Sequence, residues 1–365
     1  MLSNENEFWL KNIHGEVLNF LEYQKSFAQK GYYNYSHSGD MYNELIHWNL
    51  GSSVFALRIY YCLGIEKNQD IINACNYIKS FLHDDGMIYD DFIYKKSFTR
   101  NFLASIKNKN FSNLLNAQYK RAESRQSYSA LMLYDELPKD INIDFPKNKN
   151  EIDEYLSKLN WNEPWGAGSH FSHLMFFYRL SYQSKLIDKQ LFDKLVGYAL
   201  DWIDNIIHKD TGGWYKGKQD NRYIVNGAMK ILTGLIAVDK TEFKYPKELI
   251  DTCLKATNDI DACDNFNIIL VLNYASKLLN RRYRHEEIEK FALNRLEKYK
   301  AHYKNNQGGF SFFPYSSNIK YYGAKITKGF SEADMHGTFL FVFGISIIIQ
   351  ILGLEDEFDY KEFLT

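Results

Sequence analysis

Apolar positions along the chain recur at helical spacing through nearly its whole length, and few stretches alternate in the manner of strands. Two kinds of helix take turns. One kind has a charged face and an apolar face; it is predicted near residues 6–28, 69–82, 149–159, 188–207, 246–257 and 285–303, with "RHEEIEKFALNRLEKYKAHY" the clearest case. The other kind is apolar on almost every side and is predicted near 48–63, 122–135, 169–184, 224–238, 262–279 and 335–352. A helix that is apolar all round has to be buried. A further helix is predicted within 91–121, where "FLASIKNKNFSNLLNAQ" fits the regular alternation least.

Pairing each amphipathic helix with the apolar one after it gives six hairpins at a spacing of roughly 45 to 60 residues, a period that belongs to repeat architectures. The expected fold is all-α, an (α/α)6 toroid of six inner and six outer helices, as one domain over residues 1–365. An open superhelix of stacked helix pairs is the alternative. Connections from outer to inner helix are long and rich in glycine and aromatics, and long connections tend to carry function.

Composition narrows the function classes. Lysine and arginine number 44 against 45 aspartates and glutamates, and no long block of like charge occurs, so neither nucleic acid nor a membrane surface is expected as a partner. The start of the sequence lacks the pattern of a secretory signal, and the most apolar run, 339–352, is interrupted and short for a bilayer span. Four cysteines scattered without paired spacing fit reduced thiols, and a cytoplasmic location is expected.

In a ring of parallel inner helices all the amino ends meet at one end of a central cavity. The stretches that open these helices supply His47, Asn49, Glu123, Arg125, His170, His173, Asn226, Lys230, Asp261, Asp264, Glu332, Asp334 and His336. Asp and Asn at helix starts commonly cap free amide groups. Capping does not explain the histidines, the lysine or the arginine, because a basic group is disfavoured at a helix amino end. A polar, ligand-accepting rim is therefore expected, one that favours an anion such as a diphosphate or carboxylate. Asp334, Glu332, Asp264 and Asp261, with His336, are the expected catalytic groups, a carboxyl of raised pKa acting as general acid. His170, His173, Arg125, Lys230, Asn226, Trp165 and Trp214 are the expected substrate-binding residues.

Three connections carry related turns, "HDDGMIYDD" at 83–91, "DTGGWYKG" at 210–217 and "NNQGGFSFF" at 305–313, in which glycine permits the bend and the aromatic packs back. With the six-hairpin spacing these turns resemble the terpenoid cyclase and protein prenyltransferase superfamily, whose Gly-Gly-aromatic turns precede inner helices. The resemblance implies an enzyme acting on an isoprenoid-like substrate inside the cavity. "DIDACDN" and "EADMHGT" look like the acidic element that protonates the substrate in some cyclases of that superfamily, without its adjacent acidic pair. The resemblance to the prenyltransferases implies a zinc set of Asp261, Cys263 and His336. No cofactor is required by the sequence; zinc and magnesium are the metals left open.

Similar toroids also serve glycoside hydrolases, polysaccharide lyases and epimerases, so a carbohydrate-active enzyme is the second reading. Asp264 with Asp334 would then be the paired carboxylates, and Trp161, Trp165 and Trp214 the stacking platforms. A non-catalytic binding scaffold is the third. A cavity of Phe, Tyr and Leu below an acidic mouth points to isoprenoids, and a shallow groove of Trp faces with several carboxylates to sugars.

Overall fold

The computed structural model describes residues 2–42, 47–109, 111, 118–139, 141 and 143–363, and of residues 108 and 118 the backbone alone. The fold is all-α. Among the described residues there are thirteen helices: α1 (Asn4–Gln24), α2 (Leu50–Cys62), α3 (Gln69–Lys79), α4 (Asp91–Asn108), α5 (Gln118–Met132), α6 (Lys149–Ser157), α7 (Pro164–Gln183), α8 (Lys189–Ile203), α9 (Asn221–Ala237), α10 (Pro246–Lys255), α11 (Ala262–Leu278), α12 (His285–Lys300) and α13 (Met335–Ile351). Two small antiparallel pairs complete it, β1 (Tyr303–Lys304) with β2 (Gly309–Phe310) and β3 (Lys320–Tyr321) with β4 (Ala324–Lys325).

The two kinds of helix behave as their patterns dictate. Every residue of α2 except Tyr61 is buried, and in α13 only His336 and Gln350 escape burial. Each Phe, Leu or Ile so covered contributes on the order of 1.5–3 kcal/mol. The six apolar helices pack in succession: α2 on α5, α5 on α7, α7 on α9, α9 on α11, α11 on α13, and α13 back on α2. Small residues let α7 and α9 approach most closely. A Cβ at Gly227 would lie 2.6 Å from Pro164, and one at Gly234 3.0 Å from Ser172. Contacts therefore climb both helices in the same direction, and Phe266 against Phe343 and Asn273 against Gln350 show the same for α11 and α13.

The amphipathic helices pack outside this succession, α3 on α2, α8 on α7, α10 on α11 and α12 on α13. Several end earlier than their periodicity predicts, α1 at Gln24 and α12 at Lys300, and the reason repeats. Each chain end forms a short antiparallel bridge across a glycine turn: Lys25 with Tyr33, Leu82 with Ile88, Ile207 with Trp214, and Tyr303 with Phe310. A glycine of positive φ precedes the bridging residue by two positions in all four, at Gly31, Gly86, Gly212 and Gly308. In three of these turns only glycine fits, because a Cβ on Gly31 would stand 2.1 Å from the Asn73 carbonyl oxygen, one on Gly212 2.5 Å from that of Tyr245 and one on Gly308 2.2 Å from that of Glu16.

The additional helix expected within 91–121 is α4, capped by Asp90; residues 112–117 lie outside the described residues. It packs on α5 and on β4.

Candidate functional site

A cavity of about 850 Å³ lies among the six apolar helices, and all six contribute to its wall. Arg58 comes from α2, Arg125 and Gln126 from α5, Trp165 and His173 from α7, Lys230 and Thr233 from α9, Cys263 and Asn267 from α11, and His336 from α13. Further along the same helices the wall turns apolar, with Ile236, Phe266, Leu270, Phe339, Leu340 and Phe343. The segment after α13 adds Phe363, whose ring stacks on Phe343 at 4.3 Å. The loop before α13 adds Asn318, Tyr321 and Tyr322.

Cations outnumber carboxylates on this wall. Arg58, Arg100, Arg125, Lys230 and Lys320 line it against Glu163 and Glu362. The Glu362 carboxylate is itself engaged by the Tyr274 hydroxyl at 2.5 Å and by Lys277. The Arg58 guanidinium donates to the Gln126 side chain at 3.1 Å, to the Gln126 carbonyl at 3.2 Å and to Ser129 Oγ at 3.3 Å, and lies 5.4 Å from the centre of the Phe339 ring. All these partners are neutral. Arg125 lies over Phe176 and Lys230 over Trp165.

The cations feel one another. Burial, opposed by Cys263 and reinforced by Arg125 and Arg58, pushes Lys230 down to about 8. Burial and then Arg58 lower Arg125. Burial, then Lys230 and Arg58, hold His336 at about 3, so its imidazole is neutral; burial and then Arg125 likewise keep His173 neutral. An anion entering here would relieve this repulsion, which is the electrostatic property the wall offers a ligand.

Six residues singled out by the sequence line the cavity: Arg125, His173, Lys230, Trp165, Cys263 and His336. His336 stacks on Phe55 at 4.6 Å, and its Nδ1 has no hydrogen-bond partner; neither does Nδ1 of His173, whose Nε2 faces Ser169 Oγ at 3.3 Å.

The acids lie elsewhere. Asp334 caps α13 and is wholly buried, accepting from the backbone amides of Gly337 and Phe312 at 2.8 Å and of Asn318 at 3.1 Å. Burial nonetheless raises it to about 7. Glu332 accepts from the amide and hydroxyl of Ser38 at 2.7 and 2.9 Å. Asp261 caps α11 through the amide of Asp264 at 3.0 Å. The Asp264 carboxylate is held by Arg222 at 2.8 Å and by Asn226 at 2.9 Å, and Asn226 in turn accepts from Asn258 and Asn267. These four acids and Asn226 are not among the lining residues. A carboxylate at a helix start satisfies free amides, and that demand takes Asp334 and Asp261, while Arg222 with Asn226 holds Asp264 and Ser38 holds Glu332.

Five other expected residues meet packing. His170 is fully buried with its Nδ1 3.0 Å from the Tyr155 hydroxyl, away from the cavity wall. Trp214 is buried beside Phe243 and cannot stack on a ligand in the cavity; Trp161 is buried against Trp202. His47 stacks on Phe81 at 3.7 Å, and Asn49, buried, stands before α2. The zinc set does not assemble either: among the described residues no three His, Cys, Asp or Glu side chains are grouped as a metal would need, Asp261 is spent on its cap, and burial raises the Cys263 thiol.

Two of the wall residues that sequence reasoning missed matter most to the chemistry. Arg58 was visible as the lone charge in "SSVFALRIYYCL", a helix otherwise apolar all round. Tyr321 lies in the two-residue strand β3, which no helical pattern covers; its hydroxyl donates to Glu123 Oε1 at 2.5 Å. Burial, with the Tyr321 hydrogen bond opposing it, raises that carboxyl to about 8, so it keeps its proton at neutral pH.

No protein-family model, no curated protein and no solved structure matches this chain.

Proposed function

We propose that the chain is a single-domain (α/α)6 toroid enzyme whose central cavity takes an isoprenoid-like substrate with an anionic, diphosphate-type head. The observation that carries this reading is one wall that sets cations beside aromatic rings, with the Arg58 guanidinium 5.4 Å from the centre of Phe339 and 5.5 Å from that of Phe363. Arg58, Arg125 and Lys230, with His173 and His336, offer donors to the head. Phe266, Phe339, Phe343, Tyr274 and Phe363 would cover the hydrocarbon and face any positive charge that develops on it. The unbroken succession of contacts from α2 through α13 and back supports the toroid, and one contiguous buried cluster supports the single domain.

The acid role expected of Asp334 passes, in this proposal, to Glu123 acting through Tyr321: as the Tyr321 hydroxyl gives its proton to the substrate, the protonated Glu123 carboxyl gives its own to the Tyr321 oxygen. That pair adjoins the cavity, whereas the Asp334 oxygens are occupied by amides. Tyr321→Phe is expected to lower turnover by about 100-fold or more and to leave ligand affinity nearly unchanged. Equal losses in both would place Tyr321 in binding instead.

Titration calorimetry with farnesyl thiolodiphosphate, inorganic diphosphate and farnesol tests this wall. The thiolodiphosphate should bind more tightly than either fragment, and Lys230→Ala should weaken it by about 10- to 100-fold. Equal affinity for farnesol and the thiolodiphosphate would refute the cationic head site.

One observation favours a second reading. Trp165 is 44% exposed at the cavity, near Asn162 and Gln219, and an acidic sugar could stack there with its carboxylate toward Lys230. Binding of an oligo-uronate but not of the thiolodiphosphate would select it.

A further inference from the structure

The helix α4 is built inside out for a surface facing water. Its inner side buries Ile93, Ser97 and Ser105, two of them small and polar. Its outer side carries Phe98, Phe102 and Ile106, which share one stripe at a spacing of four, with Leu103 beside them. These are 46%, 43%, 54% and 62% exposed, so beyond the first turn, where Phe92, Ile93 and Tyr94 pack on the core, the large apolar side chains are left uncovered. An ordinary surface helix does the opposite.

The same helix is strongly basic although the chain as a whole is balanced. Lys95, Lys96, Arg100 and Lys107 are all exposed along it, and Lys109 follows directly; Asp91, in its first turn, is its only acid. Successive residues turn by about 100°, which sets Lys96, Arg100 and Lys107 along one flank of the apolar stripe. The hairpin on which α4 packs adds exposed Lys325. An apolar stripe bordered by lysine and arginine is the chemistry of a helix lying in the interface of an anionic bilayer.

We propose that the outer face of α4 docks this molecule peripherally on an anionic lipid surface. No helix among the described residues is long and apolar enough to cross a membrane, so attachment is by this face. Its position gives the docking a purpose: Arg100 and Asn101 of α4 also line the cavity. A lipid-soluble molecule would pass from bilayer to cavity along the helix with little exposure to water. Attachment does not require the ligand to be an isoprenoid, so vesicle binding and ligand binding fail separately.

Co-sedimentation of the full chain with phosphatidylcholine vesicles, with and without phosphatidylserine, is the test. The chain should sediment with the serine-containing vesicles and be released by high salt. Phe102→Ser, Leu103→Ser and Ile106→Ser together should weaken binding by at least about tenfold with the far-ultraviolet circular dichroism unchanged. Lys96→Glu with Lys107→Glu, which leaves the apolar stripe intact, should remove the preference for phosphatidylserine. Failure of the parent chain to prefer anionic vesicles overturns the proposal, as does undiminished binding of both variants. So does a dimer, seen by sedimentation velocity, that the triple variant abolishes while no vesicle binding occurs.

Discussion

Asp334 accepts three backbone hydrogen bonds from three separate segments, α13 itself, the turn at Phe312 and the loop at Asn318. Asp334→Ala strands those amides and should cost about 2–4 kcal/mol, read from urea unfolding. Little change in stability would show that the carboxylate is not the structural hub described. Glu123 gives a prediction in pH. Its folded pKa, about 8, lies above its ordinary value of 4.5, so the protonated form is favoured by folding. Its contribution is fully present below about pH 4.5 and is lost as pH rises through about 8, with a slope of up to about 1.4 kcal/mol per pH unit. Glu123→Gln should flatten the fall of stability between about pH 4.5 and 8; an identical pH profile would remove Glu123 as its cause. Asp334 also shows why the site was only half legible. A helix start that faces a cavity is also a helix start that needs a cap, and sequence does not say which demand a carboxylate meets. Protonated lysine and arginine have no acceptor for those amides, and Arg125 and Lys230 were left for the wall, which His173 and His336 also line.

The same logic explains which elements could be read. Long runs apolar on nearly every side, such as α11 at Ala262–Leu278 and α13 at Met335–Ile351, were placed within a residue or so, because a run of that length exceeds a strand and reads as a buried helix. Two-residue strands such as β1 and β2 leave no period at all, and α1 and α12 stop early because the chain must enter a bridge. The turn at Gly31 is not among the three singled out in the sequence, yet Lys25 pairs with Tyr33 as in the other three. These turns should be the brittle points of the fold. Gly212→Ala and Gly308→Ala are each expected to cost about 2–4 kcal/mol in thermal unfolding, from positive φ and from contact with a neighbouring backbone. Gly15→Ala, inside α1 with open space around it, should instead gain up to about 1 kcal/mol. Losses of similar size at all three positions would contradict this assignment.

At the scale of the whole molecule the account joins three features. Six apolar helices in cyclic contact enclose a cavity, its wall carries more cations than carboxylates together with the rings of Phe266, Phe339 and Phe343, and a basic helix with an apolar outer face borders it. Balanced net charge concealed the third, since 44 and 45 opposite charges describe the chain and not one helix. The central claim concerns the cavity, and a crystal structure of the chain soaked with farnesyl thiolodiphosphate tests it most directly. The account predicts the phosphates within hydrogen-bonding distance of Arg58, Arg125 or Lys230, and the hydrocarbon against Phe266, Phe339 and Phe343. Phosphates bound only at the outer surface, or a sugar held on Trp165 where the isoprenoid leaves the cavity empty, would contradict it.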